Sequence, residues 1–328
     1  MLKRIGILTF LVILGWTLFA EKPLERIANE TAVEGESLFG EGKYIEAAGK
    51  FEQALAQLQE AVKADGIPLD EEKVSSWLYN AYQSYLNARE FDNAVRIIDQ
   101  RIARDPDDYD LTKNKAILLA KYLDKPDDAI TVLISFDKSN NSLPAKKLTA
   151  SYYENYKQDA ANALIWYQKA FDQKQDSKIL QNIATLHKNL GNNQQAIKAY
   201  EDYINTNPDN SKLIATYKNL ATLYDDLDNP VKAVEYFEKA NALQADDKIV
   251  LLLVTRYYDM RNFEKSLQKV NELLKIKPAS KDAIYYRALN NYELGQNDLA
   301  QNDFEKLVND SKYGKSAQGF IESIKSEK

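Results

Sequence analysis

A single histidine, His187, and the absence of cysteine limit what chemistry this 328-residue chain can carry. A structural zinc site takes four ligands drawn mainly from Cys and His, and a serine– or cysteine–histidine nucleophile needs an imidazole beside it. Only His187 could serve, and spacing pairs it with neither a nucleophile nor an orienting carboxylate, so it reads as a packed ring. The phosphate-cradling loops GxGxxG and GxxxxGK(S/T) are absent. Asp and Glu number 49, so carboxylate pairs occur by chance; a glycosidase-type pair is a remote reading that requires a cleft between the two groups. The acidic clusters at 105–110, 225–228 and 246–247 lack the central Gly and terminal Glu of a calcium loop and read as solvated caps and turns. No catalytic, cofactor-binding or metal-ligating residue is therefore assigned, and the chain reads as non-enzymatic.

What remains is chemistry of contact. The chain holds 21 tyrosines, which supply large contact area with a polar tip at low entropic cost. Tyr79, Gln83, Asn114, Tyr152, Asn155, Gln181, Lys188, Lys218, Tyr258, Tyr285 and Tyr292 fall on one register, three before, one after or four after a recurring position in the chain. Polar and aromatic side chains repeated on one face form a candidate partner-binding surface, provided that the elements carrying them stack.

Those elements follow from a repeat. Small residues recur at Ala47, Ala94, Ala129, Ala163, Ala196, Ala233, Ser266 and Ala300, with all but the first gap between 33 and 37 residues. A fixed period in this range marks an array of small units. Four residues after each comes a large one (Phe51, Ile98, Leu133, Tyr167, Tyr200, Phe237, Val270, Phe304), and three further on come Ala54, Arg101, Phe136, Ala170, Tyr203, Ala240, Leu273 and Leu307. Offsets of four and seven share a helical face. Twelve residues upstream of the first column, Gly35, Tyr82, Ile117, Ser151, Ala184, Ala221, Val254 and Ala288 begin a second face, continued three residues later by Leu38, Tyr85, Ala120, Glu154, His187, Tyr224, Tyr257 and Asn291. Each unit is helix, short turn, helix. Glu154 breaks the apolar column of the fourth unit, which places that helix one residue back, on Tyr153.

The segments NLATLYDDLDNPVKAVEYFEKANAL (219–243) and NIATLHKNLGNNQQAIKAYEDYINTNP (182–208) resemble the tetratricopeptide repeat consensus. The resemblance implies an all-α fold, a right-handed superhelix (solenoid) of about eight helix-turn-helix units within 24–314, near 28–61, 75–108, 110–143, 144–177, 177–210, 214–247, 247–280 and 281–314. A capping helix is expected at 315–328. It further implies that the eleven residues named above line a concave groove that receives a peptide or a partner helix. Family members that capture a C-terminal carboxylate use Lys and Asn, then Asn, then Lys and Arg. Here Asn219 and Lys248 fit, but Gln181, Thr185 and Leu252 do not, so such capture is not expected.

The N-terminus has a different character. Lys3 and Arg4 precede an apolar run over 5–19, and Leu18-Phe19-Ala20 precedes a polar stretch, the three-part form of an export signal. Cleavage after Ala20, or retention of 1–20 as a membrane anchor, are the two readings. Export from a bacterial cytoplasm, to a periplasmic or extracellular location, is expected. The net charge of −6 becomes −8 on removal of Lys3 and Arg4, which disfavours nucleic acid as a partner. The first reading of function is a cell-envelope scaffold binding a protein or peptide partner without a cofactor. The alternative is an anchored structural or assembly subunit that uses its convex face or edges.

Overall fold

The computed structural model describes residues 23–326; the export signal expected at 1–20 lies outside them. Helices follow one another in order: α1 (Pro23–Gly40), α2 (Tyr44–Asp65), α3 (Glu71–Ala88), α4 (Phe91–Ile102), α5 (Tyr109–Ile117, continued by a π-helical turn Leu118–Tyr122), α6 (Pro126–Asn140), α7 (Leu143–Asn155) and α8 (Ala160–Gln173). They continue as α9 (Ser177–Asn189), α10 (Asn193–Ile204), α11 (Asn210–Asp226), α12 (Pro230–Leu243), α13 (Asp247–Asp259), α14 (Phe263–Ile276), α15 (Lys281–Glu293), α16 (Asn297–Glu305) and α17 (Gly314–Ser326). The described residues contain no strand. The chain divides into two compact units after Ala170, inside α8. In the N-terminal unit each helix from α1 to α6 packs on its successor, and in the C-terminal unit each from α9 to α16 does so.

Local chemistry starts each pair. The first helices α3, α5, α7, α9, α11, α13 and α15 all begin after a capping Asp or Ser: Asp70, Asp108, Ser142, Asp176, Asp209, Asp246 and Ser280. Each side chain accepts a hydrogen bond from backbone N–H groups of the first turn, which have no partner inside the helix. Packing then fixes the rest. Every member of the small column, from Ala47 to Ala300, is fully buried, and the large residues four positions on are buried. The final column is buried except at Arg101, which is half-exposed.

The same wide backbone hydrogen bond recurs across the turn within each pair. The donors are Lys43, Glu90, Lys125, Asp159, Asn192, Asn229, Asn262 and Gln296; the acceptors are Leu38, Tyr85, Leu119, Tyr153, His187, Tyr224, Tyr257 and Asn291. Six of these loops span five residues, but the third and fourth span six. The fourth helix pair thus closes on Tyr153. The third also moves back by one, a shift that Ile117 and Ala120 conceal because the alternative positions Ala116 and Leu119 are equally apolar. Ala116 and Ala150 are fully buried while Ile117 and Ser151 are half-exposed. In the third pair the extra residue is absorbed by the π-helical turn.

The residue five before each small-column position has a positive φ in all eight pairs: Gly42, Arg89, Asp124, Gln158, Gly191, Asp228, Arg261 and Gly295. A substitution that adds only a methyl group separates this backbone demand from packing. A Cβ on Gly49, within α2, or on Gly191, at φ +73°, would meet nothing within 4 Å. Gly49→Ala is expected to stabilise by about 0.5–1 kcal/mol through helix propensity. Gly191→Ala is expected to destabilise by about 1 kcal/mol, because an L side chain is strained there. Urea denaturation of the two variants reads the opposite signs directly.

Candidate peptide-binding surface

The first helices carry the residues expected to face a partner, and the two units use that face differently. In the C-terminal unit its polar side chains hold one another. Lys188 Nζ donates to Asn219 Oδ1 at 2.7 Å, and Arg256 donates to both oxygens of Asp225 at 2.9 and 3.0 Å. Lys218 lies 3.8 Å from Asp246. Tyr258 donates to Glu293 at 3.5 Å, and burial, then that carboxylate, pushes its hydroxyl up to about 12. Gln181 is half-exposed. Most of these bonds join one repeat to the next and stitch the stack.

Tyr285 and Tyr292 are covered by α17. Tyr285 stacks on Tyr313 with ring centroids 4.2 Å apart and its hydroxyl lies 2.8 Å from Ser316 Oγ. Tyr292 meets Phe320 edge-on, and its hydroxyl is 3.3 Å from Ser323 Oγ. Both rings therefore serve the seam with the last helix rather than an open groove.

In the N-terminal unit two clefts flank α3. The first, about 420 Å³, lies between α1, α2 and α3 and is lined by Glu36, Phe39, Phe51, Tyr79, Asn80 and Gln83. The second, about 560 Å³, lies between α3 and α5 and is lined by Tyr82, Leu86, Arg89, Phe91, Asn114, Ile117, Leu118 and Tyr122. Tyr79 and Tyr122 are 48% and 47% exposed, and Tyr122 stacks on Phe91 with centroids 4.5 Å apart. Among the described residues the side-chain amides of Asn80, Gln83 and Asn114 have no hydrogen-bond partner. Such an arrangement, apolar walls with a few convergent polar groups, can hold an apolar side chain and hydrogen-bond the backbone beside it. Of the eleven expected residues, the structure brings Tyr79, Gln83 and Asn114 to these clefts.

Tyr152 is a correction. The one-residue shift of α7 turns it inward; it is 6% exposed, meets Tyr156 edge-on at 5.1 Å, and burial pushes its hydroxyl up to about 12. Asn155, exposed at the end of α7, donates to the carbonyl and hydroxyl of Ser151. His187 is half-exposed, with Nδ1 3.5 Å from the Asn192 amide, and burial lowers its pKa. Among the described residues no group of three or more His, Cys, Asp or Glu could hold a metal, and no helix is long and apolar enough to cross a membrane.

The sequence profile of the tetratricopeptide repeat matches residues 177–210 and 214–247, and a second profile of the same description matches 282–311. The helix pairs of the structure continue that pattern on the N-terminal side. The chain is a tetratricopeptide-repeat protein. As a tetratricopeptide-repeat protein it is similar to the C-terminal part of a TPR repeat-containing protein from Cytophaga hutchinsonii, with a TM-score of 0.51, 16% identity, and coverage of 73% of this chain and 98% of that one. It is also similar in fold to a chain in the structure of Naa15/Naa10 bound to HypK-THB, with a TM-score of 0.56, 14% identity, and coverage of 77% of this chain and 39% of that one. Over 166 residues it is 26% identical to the transcriptional activator NprA of Geobacillus stearothermophilus, covering 46% of this chain and 41% of that protein. The chain thus spans less than half the length of this curated relative. Tetratricopeptide repeats generally form non-enzymatic protein–protein interaction scaffolds.

Sequence spacing missed Phe39, Phe91, Arg89 and Tyr122, which complete the clefts. Phe39 and Phe91 flank the turns at either end of their helices, and Arg89 is itself the turn, so none belongs to a helical face. Tyr122 ends the π-helical turn and falls outside the expected register whether it is counted from Ile117 or from Ala116.

Proposed function

We propose that this protein is a non-enzymatic scaffold that binds an extended peptide segment across α1, α3 and α5. The observation that supports this reading is the pair of adjacent aromatic clefts with three unpaired amides, in a protein whose corresponding face in the C-terminal unit is occupied by its own side chains. The walls supply apolar burial, and the amides of Asn80, Gln83 and Asn114 can satisfy a ligand backbone that has no sheet or helix to bond to. We place the protein in the cell envelope on the strength of the basic and apolar residues 1–19.

Selection of random dodecapeptides on the purified protein tests the binding surface. Tyr79→Ala combined with Asn114→Ala is expected to weaken the selected peptides at least tenfold, about 1.4 kcal/mol. Lys188→Ala and Tyr258→Ala are expected to leave them unchanged. Peptides that lose affinity only with the second pair of variants place the site on the C-terminal unit instead. Osmotic-shock fractionation of cells tests the location, and recovery of the protein with cytoplasmic markers overturns it.

A further inference from the structure

Three cations stand at or beside the N-terminal clefts, against one lining carboxylate, Glu36 in the smaller cleft. The protein is acidic overall, with 43 Lys and Arg against 49 Asp and Glu, and somewhat more than half of the cations among the described residues stand beside a carboxylate. Three around the clefts do not. Arg89 lines the larger cleft. Lys121 Nζ lies 5.3 Å from the centroid of Tyr122, which lines the same cleft. Arg101 lies 5.3 Å from the Tyr79 ring and 5.7 Å from the Tyr82 ring, one ring in each cleft. Among the described residues none of the three forms an ion pair within 4.0 Å.

Repeat register shows what was given up. Arg89 and Arg261 occupy the same position, the positive-φ turn residue of their repeats. Arg261 is paired with Glu293 of the next repeat at 3.6 Å. Glu293 stands five residues after Ala288, the buried small residue of its first helix; five after the corresponding Ala116 stands Lys121. Where the seventh and eighth repeats have an ion pair, the second and third have two cations. The sixth and seventh repeats place two anions there, Asp228 and Asp259, but Arg256 lies 3.5 Å from Asp259 and supplies the counter-charge internally. Arg101 departs from its own column in the same sense, since the other seven repeats place Ala, Phe, Tyr or Leu there. Like charges at such positions oppose folding. That cost falls beside the larger cleft, whereas the left-handed backbone of Arg89 is shared by every turn.

We propose that the face of α1, α3 and α5 is selective for an acidic extended segment of a protein partner. Carboxylate side chains of the segment lie at Arg89, Arg101 and Lys121, and apolar side chains fill the clefts on either side of α3. Neighbouring helix axes lie about 8–10 Å apart and an extended chain rises about 3.3 Å per residue, so the two apolar anchors stand about three residues apart. This inference rests on the peptide-binding reading above and adds the sign of the ligand's charge.

Two measurements test it. The first is the composition of dodecapeptides selected on the protein, with Lys121→Glu as the variant. The expected result is a threefold or greater enrichment of Asp and Glu, and a loss of at least tenfold in affinity with the variant. Selected peptides without acidic enrichment overturn the charge inference and leave the peptide-binding reading standing; failure to select any peptide overturns both. A labelled oligothymidylate bound as tightly as the best peptide also overturns it, because the cations then read phosphate. The second measurement needs no ligand. Lys121→Glu recreates opposite charges at the two positions and is expected to raise the unfolding midpoint by about 2 °C. A lowered midpoint shows that the cations do not oppose one another, and overturns the inference.

Discussion

Ala233→Glu is expected to lower the midpoint of thermal unfolding by about 10–20 °C, whereas Val231→Glu, two residues earlier, shifts it by about 2 °C or less. Ala233 is fully buried and Val231 is 64% exposed, although both lie in the first turn of α12. The closeness of the crossing can be read from the next repeat, where serine replaces alanine in the same column. There Ser266 Oγ reaches the backbone carbonyl of Val254, the corresponding residue of the first helix, at 2.9 Å. One heavy atom beyond Cβ is enough to touch the opposing backbone. A glutamate adds four, two of them oxygens sharing a negative charge, against Ala221, itself fully buried. Overpacking costs about 1–3 kcal/mol, and an unpaired buried charge costs several more unless the carboxyl is neutralised. Because stability in a repeat array is close to a sum of unit and interface terms, the loss is expected to be centred on the sixth repeat and its neighbours. Hydrogen exchange should therefore show α11–α14 losing protection first. An unchanged midpoint would mean that Ala233 does not lie at a helix crossing.

The difference between what could and could not be read in the sequence has a physical cause. A crossing tolerates only a small side chain, and the hole beside it only a large apolar one, so packing writes itself into residue identity. The left-handed turn residue is different. Gly, Asp, Gln and Arg all occupy it, since the cost of a side chain there is about 1 kcal/mol and packing elsewhere outweighs it. The register shift of the fourth repeat was legible because Glu154 stood where an apolar residue belonged. In the third repeat Ile117 and Ala116 are both acceptable, so composition alone could not reveal the shift. Register also separates two tyrosines of the candidate site. Tyr79 and Gln83 lie in a repeat with ordinary register and reach the cleft, while Tyr152 lies in a shifted one and is buried. Tyr285 and Tyr292 keep their register but are met by α17, and helical spacing within one repeat carries no information about what packs against it.

Asp303 is expected to make the C-terminal end of the array acid-sensitive. Its carboxylate is only 6% exposed. It accepts hydrogen bonds from Arg287 Nε at 2.6 Å, Arg287 Nη2 at 2.8 Å and Lys306 Nζ at 2.8 Å. Burial acts to raise its pKa, but Arg287 and Lys306 outweigh burial and hold it below the usual carboxylate value. The unfolded chain titrates this group near about 3.9. A carboxyl whose folded pKa is the lower one contributes stability above the unfolded pKa, and that contribution is lost as pH falls through the folded value. Asp303→Asn is thus expected to destabilise by about 3 kcal/mol at pH 7, because it strands a half-buried guanidinium beside a neutral amide. The gap from wild type should then narrow as pH falls below about 4, where the wild-type carboxyl takes up its proton as well. Arg287→Met is expected to cost a similar amount at pH 7, since it leaves the buried carboxylate with Lys306 alone. Denaturation of all three proteins from pH 7 to pH 3 separates charge from packing. A gap between Asp303→Asn and wild type that stays constant over that range would assign the site to shape, and the ion pair would then contribute no acid sensitivity.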